Sequence, residues 1–310
     1  MKRNALNLLS LILFIAVAYF LGNELVASWE KISTYEFNFD LPLLSLASLL
    51  YALSFFGLGF GWHLILQDLH YPIPMLEAML YFFITQPCKY IPGKIWLAVG
   101  RGKFCRRHGV PHSVTFLTTG LEGVMEILAG TYIGLLGLIY TPLLHRFSRI
   151  GIGLILIAGF LLLIPKIFYF CVNTYLKLVK RPLIVRSQQV SFGRLLSLQL
   201  IYIVALLGIG LSQVLFLKSF VAIPLGALPV LISIGAFSYV ASILAFFTPS
   251  GLGVREGIWV FALRSLVRPH IALIFALVSR LWTIIVEALL VSIALPIYWL
   301  RRKKLPHLDI

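Results

Sequence analysis

Gln86-Pro87-Cys88-Lys89-Tyr90-Ile91-Pro92-Gly93-Lys94 interrupts an apolar stretch at about residues 73–103. Thr248-Pro249-Ser250-Gly251-Leu252-Gly253-Val254-Arg255-Glu256 interrupts another at about 226–266. Proline and glycine break a helix, and the backbone groups they free cannot be left facing lipid. Each stretch therefore reads as two half-helices that meet inside the protein, a re-entrant hairpin. A kinked spanning helix is the plainer alternative.

Around these two breaks the chain is overwhelmingly apolar. Of 310 residues, 60% are hydrophobic and 12% charged, with a mean hydropathy of +0.97. A soluble domain is about half apolar and about a quarter charged. No polar stretch longer than about 25 residues offers room for a soluble catalytic domain. Six segments have the roughly 20 apolar residues that a membrane crossing needs: 5–22, 41–66, 112–142, 149–171, 196–219 and 270–299. The first carries marks of a cleavable signal peptide, with Lys2 and Arg3 before an apolar run containing Ala16-Val17-Ala18. The run continues through Leu21, however, and is expected to persist as a first helix.

The net charge of +15 does not point to nucleic acid, because the basic residues sit in short clusters between apolar runs. If both broken stretches are hairpins, fifteen fall on one side: Lys2, Arg3, Arg101, Lys103, Arg106, Arg107, Lys177, Lys180, Arg181, Arg186, Arg194, Arg301, Arg302, Lys303 and Lys304. Six fall on the other: Lys31, Arg146, Arg149, Lys218, Arg264 and Arg268, together with the acidic residues Glu24, Glu30, Glu36 and Asp40. Basic residues favour the cytoplasm, so the expectation is an integral protein of the plasma membrane with both termini cytoplasmic.

The same layout repeats. Residues 1–142 and 149–299 each read helix, helix, hairpin, helix. From Pro92 to Glu122 is 30 residues, and from Pro249 to Arg280 is 31. Each half crosses three times, so the second is inverted and the two hairpins enter from opposite sides. The expected fold is an all-α polytopic membrane protein forming one domain over 1–310. It has six spanning helices plus two oppositely oriented re-entrant hairpins in an inverted repeat, an arrangement that transporters use.

Charges inside a membrane are costly and usually functional. Lys89, Lys94, Arg255 and Arg280 are basic; Glu122, Glu126, Glu256 and Glu287 are acidic. They either pair among themselves to hold the bundle or serve a ligand. Lys89, Lys94 and Arg255 lie at breaks, where backbone N–H groups are unpaired, and Pro92 and Pro249 precede or open return half-helices. A half-helix N-terminus with glycines close by suits a phosphate. Glu122 and Glu126, one turn apart, repel if both ionise, so one is expected to hold a proton that it could exchange during transport. Arg280 and Glu287, seven apart, share a helix face.

Other signals are weaker. Glu36 and Asp40 stand in the first outer loop, where membrane glycosyltransferases keep carboxylates; a plain acidic loop explains them too. There is no Gly-x-Ser-x-Gly or His-Glu-x-x-His motif, and Cys88, Cys105 and Cys171 form no Cys-x-x-Cys pair. His63, His108, His112 and His270 make no recognisable ligand set, so neither metal nor cofactor is expected. Trp62, Trp259 and Trp282 read as core or interface anchors. The stretch 172–195 either lies on an anionic leaflet or is a solvated loop.

At the two breaks the sequence resembles the transmembrane-region family of lysylphosphatidylglycerol synthases, whose members include stand-alone flippase-like proteins. The residues are Tyr90-Ile91-Pro92-Gly93-Lys94-Ile95-Trp96 with Arg101, Leu121-Glu122 with Glu126, and Pro249 through Glu256, similar to the family's Pro-Gly-Gly-x-Gly-x-x-Glu. The resemblance implies movement of an aminoacylated or glycosylated lipid between leaflets. Ser250 replaces a glycine and Trp96-Leu97 stands where many members carry Gly-Glu, so the resemblance does not fix the lipid. The family's aminoacyl-transferring soluble domain is not represented in these residues, and synthase activity is not expected of them. The candidate binding set is Lys89, Pro92, Gly93, Lys94, Arg101, Pro249, Gly251, Gly253, Arg255, Glu256 and Arg280. Glu122, Glu126 and Glu287 would balance charge or carry a proton. The expected partners are a lipid with a phosphate head group, the bilayer itself, and a glycosyltransferase or other lipid-synthesis protein. The alternatives are an enzyme acting on a lipid-linked sugar and a lipid-binding scaffold.

Overall fold

A computed structural model describes residues 38–91, 95–139, 146–178, 183–184, 189–245 and 248–304. The expected first helix at 5–22, Glu36 and the Pro92-Gly93-Lys94 triplet lie outside these residues.

Every regular element among the described residues is helical. The scaffold is a pair of long helices, α1 (Leu41–Asp68) and α7 (Phe192–Lys218). Asp40 caps α1, its carboxylate accepting the Leu43 N–H at 3.0 Å, and Ser191 caps α7 through the Arg194 N–H at 3.3 Å. Arg194 clasps Asp68 at 2.9 and 3.0 Å, and the Asp40 N–H reaches the Ser219 carbonyl at 2.7 Å. The start of each helix therefore meets the end of the other, and the two run antiparallel. At about 1.5 Å per residue, 28 residues reach about 42 Å, past a hydrocarbon core of about 30 Å.

Between α1 and α7 come α2 (Met75–Thr85), α3 (Ile95–Cys105), α4 (His112–Ile139), α5 (Arg146–Leu161) and α6 (Pro165–Leu178). After α7 come α8 (Leu228–Leu244), α9 (Val254–Leu263) and α10 (Pro269–Lys304). Helix α3 packs back on α2, and α9 packs back on α8. Helix α2 lies along α10, while α8 lies along α4.

Among the described residues, four helices are both long and apolar enough to cross a membrane: α1, α7, α10, and α8 with the short turn before it (Leu225–Leu244). The bent pair α5–α6 would make a fifth. Here the structure departs from the expected span at 149–171. The helix stops at Leu161 and resumes at Pro165, with axes 84° apart. Pro165 lacks the N–H that would continue α5 and instead opens α6. The polarity of the bundle is that of a membrane protein. Large apolar side chains such as Val204, 68% exposed, face outward, while Gln199, Gln213, Arg101 and Glu122 are buried.

Helix α8 is held by contacts that leave no room for side chains. A Cβ on Gly130 of α4 would collide with Val240, and one on Gly137 with Ser233. A Cβ on Gly235 would come within 2.8 Å of the Gly210 Cα on α7. Small residues allow such close approach where no hydrophobic effect drives helices together.

Candidate functional site

The first break follows α2. The chain tightens into a 3₁₀ turn, Gln86–Tyr90, with Pro87 in its first positions. The Thr85 hydroxyl satisfies the Tyr81 carbonyl at 2.7 Å. This turn aims Lys89 and Tyr90 inward at Glu287 of α10. Lys89 Nζ lies 2.6 Å from one carboxylate oxygen, which also accepts the Tyr51 hydroxyl at 2.9 Å. The Tyr90 hydroxyl donates to the other oxygen at 2.9 Å. Three donors from two elements thus converge on one carboxylate of a third, while the Lys89 ammonium also sits 5.0 Å from the centre of the Phe55 ring.

The second break follows α8 and is built from left-handed backbone. Ser250, Gly251 and Gly253 have φ of 50°, 70° and 87°. At Gly251 a side chain is excluded twice over, by that φ and by Ser242, whose Oγ would stand 2.7 Å from an added Cβ. Glu256 reaches back to the Gly253 N–H at 2.7 Å and so caps α9. Arg280 of α10 donates to the Ser250 carbonyl at 3.1 Å and lies 3.6 Å from Glu256. Its guanidinium also lies 5.5 Å from the Tyr90 ring centre, so one side chain touches both breaks.

Beneath the first break, Arg101 of α3 is wholly buried between Trp62 and Phe82, with ring centres at 4.5 and 4.7 Å. It grips Glu122 of α4 with both terminal nitrogens, the longer contact being 3.2 Å and the other Nη1 to Oε2. Trp62 is fixed in turn by its Nε1 donating to the Thr118 hydroxyl at 3.2 Å. The expectation that Trp62 is a core anchor holds, and its ring also supports a charge.

These groups wall a cavity of about 220 Å³. Lys89, Arg101, Glu122, Glu126, Arg255, Arg280 and Glu287 all line it, joined by Tyr51, Tyr90, Tyr239, Ser242 and Ser250. The sequence-selected charges that the structure describes therefore meet at one place, apart from Glu256, which is behind the wall as a helix cap. Gly251 and Gly253 shape the second break through their backbone. Arg280 and Glu287, expected to share a face, both line it but take different partners. The tyrosines were missed. They carry no charge to mark them, and only Tyr90 stood within a quoted motif.

Pairing is incomplete in a specific way. Glu122 has Arg101 and Glu287 has Lys89, but Glu126, 7% exposed, has no ion pair among the described residues. Arg255, 8% exposed, likewise has none, and its Nη2 is buried without a hydrogen-bond acceptor. Arg101 Nε and Arg280 Nε are also spare donors. Buried polar atoms in proteins are normally satisfied, so the spare nitrogen of Arg255, a residue of the cavity wall, is suited to an anion. Asp40, by contrast, is exposed and engaged as the cap of α1. His63 is buried on the interior side of α1.

Residues 7–291 match the family model of the lysylphosphatidylglycerol synthase transmembrane region, covering most of the chain. No curated protein matches it.

Proposed function

The chain belongs to the lysylphosphatidylglycerol synthase transmembrane-region family, a membrane protein linked to lipid handling, and from that premise we propose that it is a lipid transporter. It moves a phosphate-bearing lipid, anionic or polyisoprenyl-phosphate-linked and carrying an aminoacyl or sugar group, between the leaflets of the plasma membrane. The observation that carries this reading is the cavity between the two helix breaks, where Arg255 keeps a buried, unpartnered guanidinium nitrogen. About 220 Å³ equals about seven waters, room for a head group but not for acyl chains. The tails would stay in the bilayer while Arg255 and Arg280 hold the phosphate. Lys89 could leave Glu287 to join them. Asp40, one of the two carboxylates that an enzyme reading needs, is already engaged in capping α1.

Reciprocal packing supports two inverted halves. The first limb of each hairpin lies on the last helix of the other half, α2 on α10 and α8 on α4, and the second helices α1 and α7 pair antiparallel. Rocking one half against the other would open the cavity to either side. Single cysteines test the topology. In a chain cleared of Cys88, Cys105 and Cys171, an impermeant maleimide should label Lys103→Cys only from the cytoplasm and Leu266→Cys only from outside. Labelling of both from one face would end the inverted-hairpin reading.

Transport itself is tested in liposomes. The purified protein should speed exchange of a phosphate-bearing lipid between leaflets without changing its mass; a chemically altered lipid would favour the enzyme reading, and binding without exchange the scaffold. Glu126 should set the pH dependence, because it faces the same cavity as Arg101 and Lys89 with no ion pair among the described residues. Glu126→Gln should flatten the pH profile of exchange and leave abundance unchanged. An unaltered profile would make Glu126 structural only.

A further inference from the structure

The turn at 162–164 sets α6 at 84° to α5. Helix α5 stands on the rim of the bundle against α4, with Ile150, Leu154, Ile157 and Leu161 exposed along it at helical spacing, as befits a lipid-facing helix. With α5 standing along the bilayer normal, a helix nearly perpendicular to it would run along the membrane surface rather than complete the span. Its depth is fixed on the inner side. Phe168, Tyr169 and Leu176 are buried, and the Tyr169 hydroxyl oxygen accepts the Val190 N–H at 3.0 Å. Phe168 and Tyr169 share a pocket with Asp68 and Leu69 at the end of α1 and Leu195 at the start of α7. Helix α6 therefore packs beside the end of α1 and the start of α7.

The outer side of α6 has a different character. Ile167, Phe170, Cys171, Thr174 and Leu178 are exposed and, at 3.6 residues per turn, fall on one stripe. Phe170 is 71% exposed and Leu178 78%. Lys166 and Lys177, three turns apart, lie together along one edge of that stripe, exposed and without ion pairs among the described residues. Apolar residues flanked by a row of lysines are the pattern of a helix lying in the membrane–water interface, and the lysine row matches anionic head groups.

We infer that α6 is an in-plane helix that docks on an anionic leaflet, with Phe170 and Leu178 entering the acyl boundary and Lys166 and Lys177 reading lipid phosphates. The surface is separate from the central cavity and does not depend on transport. Cys171 lies on the stripe and serves as reporter. The full chain, with Cys88→Ser and Cys105→Ala, is labelled at Cys171 with bimane. It is then placed in detergent, in phosphatidylcholine nanodiscs, and in nanodiscs of phosphatidylcholine with phosphatidylglycerol. Quenching by neutral acrylamide should fall severalfold in the phosphatidylglycerol discs relative to the phosphatidylcholine discs, and high salt should erase the difference. Lys166→Gln with Lys177→Gln should also erase it, while leaving lipid exchange through the cavity intact. Equal quenching in both nanodiscs overturns the proposal, whether the label is open (a solvated helix) or shielded (apolar insertion without charge recognition).

Discussion

Arg255→Ala should slow leaflet exchange of a phosphate-bearing lipid by about ten- to a hundredfold and leave the folded protein as stable as before. A hydrogen bond to a charged group contributes about 1.5–3 kcal/mol, and about 1.4 kcal/mol is a factor of ten. The absence of a stability loss follows from the geometry. Arg255 is buried, lines the cavity, and has no ion-pair partner among the described residues, so truncation strands no opposite charge. Arg255→Lys should recover part of the rate, since an ammonium supplies the charge without the planar fork. Exchange in liposomes and thermal unfolding of the same preparations check both halves. Unchanged exchange, or exchange lost only in step with folding, would remove Arg255 from the site.

Glu122→Ala should do the opposite, lowering stability by about 3–5 kcal/mol and with it the amount of folded protein. The cause is Arg101, which is wholly buried between two aromatic rings and would be left without its carboxylate. Replacing both partners, Arg101→Met with Glu122→Leu, should restore much of the loss, because an apolar pair of similar volume removes the stranded charge. Glu126 is one turn away on the same helix, and its conversion to glutamine should cost little. Denaturation midpoints of the three variants decide the matter. If Glu122→Ala is as stable as Glu126→Gln, the Arg101 clasp contributes nothing to the fold.

These two cases show what the sequence could and could not convey. That Lys89, Arg255, Arg280, Glu122, Glu126 and Glu287 belong together was legible, because a charge in an apolar helix can only turn inward. Which charge meets which was not. Glu287 takes Lys89 from 198 positions away, and Glu122 takes Arg101 from 21 away. Neither pair follows from helical spacing, and the sevenfold spacing of Arg280 and Glu287 suggested a link that tertiary packing divides. The backbone breaks were announced by proline and glycine. The bend before α6 was not, since Leu161-Leu162-Leu163-Ile164 is as apolar as any span and only Pro165 marks the turn. The long helices themselves were read closely: 41–66 and 196–219 became Leu41–Asp68 and Phe192–Lys218.

The glycine contacts around α8 bear on which parts of the molecule can be moving parts. Where Gly235 meets Gly210 backbone to backbone, no rotamer can change to let one helix slip past the other. Helix α8 is thereby seated close against α7 and, through Gly130 and Gly137, against α4. The two helices that flank the first break, α2 and α3, are seated differently. Tyr81 and Phe104 meet Tyr298 of α10 through ring faces and edges, with centres 6.2 and 5.4 Å apart. Rings can tilt and slide where backbones cannot. The two breaks, alike in layout, are therefore seated unequally, one behind a helix packed against backbone and the other between helices packed through aromatic rings.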